Sequence, residues 1–259
     1  MAENQKWTGW HTFGLLAIIV AIVLIGLLTP FRGRLWAWLC TLILLAVFTT
    51  VAGHGVVGLW RGLLIDERNK ISLSRLQMIL WTIVVLSGFL TAALSNVAAG
   101  QTSPLSIAIP SELWLLMGIS TTALVGSPLI KSTKIAKKPN AAERRSTFNL
   151  MAKQGVDTSI VTSKGQLVVN TTLEGAQWSD LFKGEESGNA AQLDLSKIQM
   201  FYFTLILVLA YAVALGTTFA GTAEKIAEFP ALGPGMVALL GISHAGYLVH
   251  KAIPHSETG

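Results

Sequence analysis

The chain has 259 residues, of which 52% are hydrophobic and only 13% are charged; its formal net charge is +5 and its mean hydropathy is +0.57. Soluble domains carry about 25% charged residues, so this composition excludes a typical soluble enzyme, a disordered protein and a fibrous protein. It predicts an all-α polytopic membrane protein. The single cysteine, Cys40, excludes an intrachain disulfide.

Six apolar segments are long enough to be predicted as membrane spans: 13–28, 35–59, 78–97, 113–130, 200–216 and 237–250. A polar stretch separates the fourth from the fifth. This order predicts four regions, which are an N-terminal transmembrane hairpin at 1–62, a first repeat hairpin at 63–131, a small cytoplasmic α+β insert at 132–194, and a second repeat hairpin with a short tail at 195–259.

The positions of the basic residues predict the orientation. With the N-terminus inside, including Lys6, only Arg32, Arg34 and Lys225 of the nineteen Lys and Arg residues fall outside. Loops on the cytoplasmic side carry the excess of Lys and Arg, so both termini and the insert are expected in the cytoplasm.

The second predicted helix contains a G-x-G-x-x-G string at 53–58. A dinucleotide site needs a preceding strand and a soluble helix, so these glycines are better read as positions of close helix contact. His54 lies inside the string, and an ionisable group at membrane depth is a functional candidate. It could line a constriction or sense pH; the alternative is a neutral imidazole hydrogen-bonded to a facing helix.

An internal repeat is the strongest pattern in the chain. The block LSRLQM at 73–78 recurs as LSKIQM at 195–200, and LMGIS at 116–120 recurs as LLGIS at 239–243, with a proline before each second helix. Both copies run in the same direction through the membrane. The pattern therefore predicts a parallel repeat of two hairpins, helices 3–4 and 5–6, about an axis along the membrane normal.

Several repeat residues are candidates for function. Small residues and serines near the repeated Gly-Ile-Ser could line a pore, although close helix packing is the alternative. Gln77 and Gln199 could bond across the repeat axis, while Arg75 and Lys197 could reach lipid phosphates. The pore or sensing candidates, besides His54, are Gly118, Ser120, Gly241, Ser243 and His244.

The insert opens with a basic run whose Lys134, Lys137 and Lys138 are expected to reach anionic lipid headgroups. No aromatic residues interleave these charges, so nucleic acid is not expected as a partner. Segments 158–162 and 166–170 predict a β-hairpin, which is expected to add to a strand from a sister subunit or a partner because an isolated hairpin is marginal in water. Trp178, Leu181 and Phe182 predict a short apolar helix face that either folds back on the insert or binds a partner protein.

No catalytic, phosphate-binding or metal-binding motif occurs, so neither an enzyme nor a cofactor is expected. The repeated blocks resemble those of uncharacterised multi-pass bacterial membrane proteins, which implies a bacterial inner membrane but carries over no functional residue. The sequence favours an oligomeric pore or channel-like assembly of identical subunits. The alternative is an inner-membrane anchor or scaffold whose cytoplasmic insert docks a soluble partner.

Overall fold

A computed structural model describes residues 7–256, so Lys6 and both chain ends lie outside the described residues. Within that range the chain forms seven α-helices and one small two-stranded sheet. The helices are α1 Gly9–Leu28, α2 Arg34–Val57, α3 Leu73–Ala98, α4 Ser111–Ile135, α5 Ala141–Lys153, α6 Leu195–Ala220 and α7 Pro234–Ala252. The strands are β1 Val161–Lys164 and β2 Leu167–Asn170.

Among the described helices, five are long and apolar enough to cross a membrane: α1, α2, α3, α4 and α6. These helices indicate an all-α membrane protein. The sixth predicted span, 237–250, falls within α7, which has 19 residues and is not among the five. The number of spans therefore stays a prediction.

The chain divides into two compact units. Unit 1 consists of the chain up to Leu63 together with Ile79–Met117 and Leu205–Val237. Unit 2 consists of Leu64–Met78, Gly118–Thr204 and the chain from Ala238 onward. Four of the boundaries fall inside α3, α4, α6 and α7, and the fifth follows Leu63. The four regions stay a prediction.

In unit 1, α1 packs on α2 through aliphatic side chains around Ile18, Ile22 and Val51. Gly26 allows a close approach, because a Cβ at that position would collide with the side chain of Leu94. Helices in lipid associate through such small residues and dense packing, since lipid tails are as apolar as leucine.

The loop that follows α3 pairs with the loop that follows α6 in unit 1. Ala108 and Glu228 form a parallel bridge, in which the Ala108 N–H donates to the Ala227 carbonyl at 2.7 Å and the Phe229 N–H donates to the Ala108 carbonyl at 3.0 Å. The Asn96 amide also holds both backbone groups of Ile226. These bonds satisfy backbone donors and acceptors of the two loops.

Arg34, one of the three basic residues on the predicted outer side, has a structural role in unit 1. Its side chain is buried, and its guanidinium donates to the carbonyl oxygens of Ala223 and Glu224 at 2.5 and 2.6 Å and to Ser95 Oγ at 2.5 Å. This arginine therefore holds a loop of unit 1 together.

The sheet in unit 2 differs in detail from the predicted hairpin. The strands pair from Val161 with Asn170 to Lys164 with Leu167, which leaves a two-residue turn with Gly165 at a φ of +59°. Residues Thr158–Ile160 form a 3₁₀ turn, which the sequence predicted as strand. The other edge of β2 is covered by the insert itself, since the Val168 N–H donates to the Glu185 carbonyl at 2.9 Å.

Candidate functional site

Glu185 is the centre of a buried charge cluster in unit 2. Its carboxylate lies 3.2 Å from the guanidinium of Arg68, 3.0 Å from the ammonium of Lys197 and 2.8 Å from that of Lys251. Lys197 lies in the first turn of α6, Lys251 lies in the last turn of α7, and Arg68 lies in the segment before α3. One carboxylate of the insert therefore ties together three other parts of the chain.

Asp66 forms the second centre of this cluster. Its Oδ2 accepts from the guanidinium of Arg68 at 2.9 Å and from the ammonium of Lys131, near the end of α4, at 2.5 Å. Lys131 also pairs with the more exposed Glu67 at 3.0 Å. Arg68 thus bridges Asp66 and Glu185, which makes the cluster continuous.

The charges of this cluster hold each other in the ionised form. Burial by itself would raise the pKa values of Asp66 and Glu185, but the adjacent cations outweigh it and hold both well below the ordinary carboxyl range. Burial would likewise lower the pKa of Arg68, yet the two carboxylates raise it. The cluster is therefore a set of paired charges whose stability depends on every partner being present.

Two lysines predicted to reach lipid phosphates lie inside this buried network. Lys134 is 4% exposed and pairs with Glu186, while its ammonium also donates to the Ile253 carbonyl at 2.9 Å. Lys197 is 3% exposed and pairs with Glu185. Carboxylates of the insert thus hold the two ammonium groups that the sequence assigned to lipid. Lys137 and Lys138 are exposed, and Arg75 is half-buried.

Gln77, Ser120 and His244 meet in unit 2. The His244 Nδ1–H donates to the Leu240 carbonyl at 2.8 Å, so its Nε2 is the atom that accepts from the Gln77 amide. The same amide nitrogen lies 3.4 Å from Ser120 Oγ. Among the described residues the buried Gln77 Oε1 has no hydrogen-bond partner. Gln199 is exposed, so the two repeat glutamines occupy different environments.

His54 lies in a cluster of aromatic rings in unit 1. The Thr8 N–H donates to His11 Nδ1 at 3.0 Å, so the neutral His11 ring donates from Nε2 to His54 Nδ1 at 2.9 Å. Trp60 stacks on His54 with ring centroids 4.3 Å apart, and Trp10 lies 4.0 Å from His11. His54 is therefore hydrogen-bonded to another imidazole, and its role in a constriction or in pH sensing stays a prediction.

The remaining pore candidates lie in unit 2 and differ in exposure. Gly118 is exposed, and a Cβ there would meet no atom within 4 Å. Gly241 is half-buried, and a Cβ there would lie 3.7 Å from the side chain of Ile119. Ser243 is buried at 4% exposure. Of these three residues, only Gly118 is exposed with free space beside it.

The three residues predicted to bind a partner do not share one face. Trp178–Leu181 forms a 3₁₀ turn, anchored because Asp180 pairs with Lys70 at 3.2 Å. Trp178 is 58% exposed, whereas Leu181 is 3% exposed. Phe182 packs edge-on against Phe201 with centroids 5.1 Å apart. Trp178 alone is available at the surface.

The buried charge cluster could not be found from the sequence. Asp66, Glu185 and Glu186 lie in segments that read as ordinary polar loops, and nothing in their local pattern distinguishes a buried carboxylate from an exposed one. The only signal is that lysines lie at helix ends, which also suits contact with lipid phosphates. No group of three His, Cys, Asp or Glu side chains within the described residues could hold a metal ion.

Comparison of this chain with protein families, with curated proteins and with solved structures found no match.

Proposed function

We propose that this protein is a membrane anchor that holds its insert rigidly and presents it to a soluble partner. The observation that carries this proposal is the buried charge cluster, in which Glu185 and Glu186 of the insert pair with lysines of α4, α6 and α7. Buried pairs of this kind are geometrically demanding, so they fix the insert in one arrangement. Rigid presentation is what a docking platform needs.

Trp178 is the residue proposed to contact the partner. Tryptophan is enriched among the residues that dominate interface energetics. The 3₁₀ turn beneath it is held by the ion pair of Asp180 with Lys70. Trp178 therefore protrudes from a fixed base.

A photoreactive residue at position 178, in the full chain in its native membrane, tests this proposal. A discrete cross-linked product is expected from position 178 and not from position 164, an exposed position on the hairpin of the same insert. Cross-linking that is absent, or equal at both positions, would contradict the docking role. A product of twice the chain's mass would assign the surface to a second copy.

A second candidate function is the oligomeric pore, which is favoured by the open face of α4. Exposed residues recur along the part of this helix in unit 2 at intervals of three or four, including Gly118, Thr122 and Val125. The Thr122 hydroxyl is satisfied by the Gly118 carbonyl at 2.8 Å, and nothing occupies the space beside Gly118. Such a face allows close approach of another helix.

Native mass spectrometry from nanodiscs tests this second function by counting protomers. Four or more copies, together with bilayer conductance that Gly118→Leu abolishes, would support the pore. A monomer or dimer would reject a pore between subunits while leaving the anchor proposal standing.

We also propose that helices α3–α4 and α6–α7 are the two copies of the internal repeat. Helices α3 and α6 both contain 26 residues, and the bridge between Ala108 and Glu228 joins positions just before the repeated prolines. Parallel pairing of equivalent loops is expected for two copies related by an axis along the membrane normal.

A further inference from the structure

An open groove between α5 and β1 has the chemistry of a phosphate site. Its volume is about 370 Å³, and six of its lining residues are Arg144, Arg145, Phe148, Asn149, Thr162 and Ser163. Among the described residues no carboxylate lines it. Two guanidinium groups, an amide and two hydroxyls offer several hydrogen-bond donors, and arginine matches phosphate oxygens with paired N–H groups.

The groove is partly organised without a ligand. The Arg144 guanidinium donates to Ser163 Oγ at 3.2 Å, which links α5 to β1. The N-terminus of α5 is itself fixed, since Asn140 Oδ1 accepts from the N–H groups of Ala142 and Glu143 at 2.9 and 3.2 Å. A donor that is already positioned loses less side-chain entropy when a ligand binds.

The groove also lies close to the end of an apolar helix. The Gln166 N–H donates to the Lys134 carbonyl at 3.1 Å, and a Cβ at Gly165 would collide with the Ile135 carbonyl. The turn of the hairpin therefore rests on the last residues of α4, and Ser163 is two residues from that turn. If α4 crosses the membrane, its end lies at the level of the lipid headgroups.

We propose that this groove binds the phosphate of an anionic lipid headgroup through Arg144 and Arg145. Its distance along the chain from the end of α4 is short, because α5 begins six residues after Ile135. Half-buried Phe148 supplies an apolar surface beside the charges, as suits a site at the boundary between lipid and water. This site is independent of the anchor and pore proposals and requires only that α4 spans the membrane.

The test uses the full chain in detergent, with native mass spectrometry to measure the affinity for phosphatidylglycerol and for phosphatidylcholine. R144A/R145A is expected to weaken phosphatidylglycerol binding about tenfold or more, with little change for phosphatidylcholine. The matched control is K153A/K164A, which also removes two exposed positive charges but none from the groove. It is expected to change the affinity less than threefold.

Two outcomes would overturn the proposal. Equal weakening by both double variants would mean that lipid is attracted by net charge alone. If inorganic phosphate binds in phosphatidylcholine nanodiscs with the same dependence on Arg144 and Arg145, while phosphatidylglycerol does not, the occupant is a soluble phosphate compound.

A conservative variant keeps the test decisive if the alanine variant is poorly folded. R144K/R145K retains both charges but loses the paired N–H groups of arginine. A partial loss of phosphatidylglycerol affinity is expected for it, and full retention would reject the paired hydrogen-bond geometry.

Discussion

In unit 1, buried polar side chains form separate contacts between packed apolar surfaces: Arg34 holds one loop, and the Trp38 indole donates to Ser87 Oγ at 3.1 Å. In unit 2, buried charges form a continuous network around Asp66 and Glu185. The two units therefore depend on different interactions. Removing a charge is therefore expected to harm unit 2 more than unit 1.

The largest expected effect comes from Glu185→Gln in unit 2. The change leaves Arg68, Lys197 and Lys251 close together without their shared carboxylate, and breaking a buried pair typically costs about 3–5 kcal/mol of unfolding free energy. Thermal unfolding in nanodiscs measures this loss. Glu174→Gln, at an exposed carboxyl of the same insert, is the control and should cost less than about 1 kcal/mol. Equal losses would remove the special role of the cluster.

Acid should weaken unit 2 for the same reason. A carboxyl whose pKa is depressed in the folded protein stabilises the fold above its unfolded pKa of about 4, and this contribution is lost as the pH falls toward the depressed value. Asp66 and Glu185 both have lowered pKa values. The melting temperature is therefore expected to fall steeply below about pH 4, and Glu185→Gln should flatten that slope. A slope unchanged by the substitution would contradict this assignment.

Gly26→Ala tests the close helix packing of unit 1. The added Cβ would collide with Leu94, and overpacking typically costs about 1–3 kcal/mol. Gly14→Ala is the matched control on the same helix, because the nearest atoms to its Cβ would lie 3.9 Å away. Thermal unfolding should separate the two variants. If Gly14→Ala were the more harmful, the packing assigned to α1 would be wrong.

The smallest expected effect comes from His54. His54→Phe keeps a ring against Trp60 but removes the hydrogen bond from His11, which is worth about 1 kcal/mol. His54→Ala should cost more because it also removes the stacked ring. The same unfolding measurement checks the order of the two variants. Equal stability of wild type and both variants would show that the ring cluster does not support unit 1.

The membrane class and most helix positions could be predicted from the sequence, because apolar runs of this length are typical of membrane-spanning helices. Five of the six predicted spans coincide with helices that are long and apolar enough to cross a membrane. The β-hairpin was also predictable from its alternating pattern and Gly165, although one strand begins three residues later than expected. These features depend on local composition, which a single segment carries.

Which polar residues are buried is seen only in the tertiary structure. Lys134 and Lys197 have the same local surroundings as a lysine that reaches lipid, yet Lys134 pairs with Glu186, 52 residues away, and Lys197 pairs with Glu185 of the segment before its helix. His54 likewise gains its partner from α1, 43 residues earlier. Burial and ion pairing are properties of contacts between distant segments, so no local pattern could assign them. The groove at Arg144 and Arg145 depends in the same way on how α5 packs beside β1.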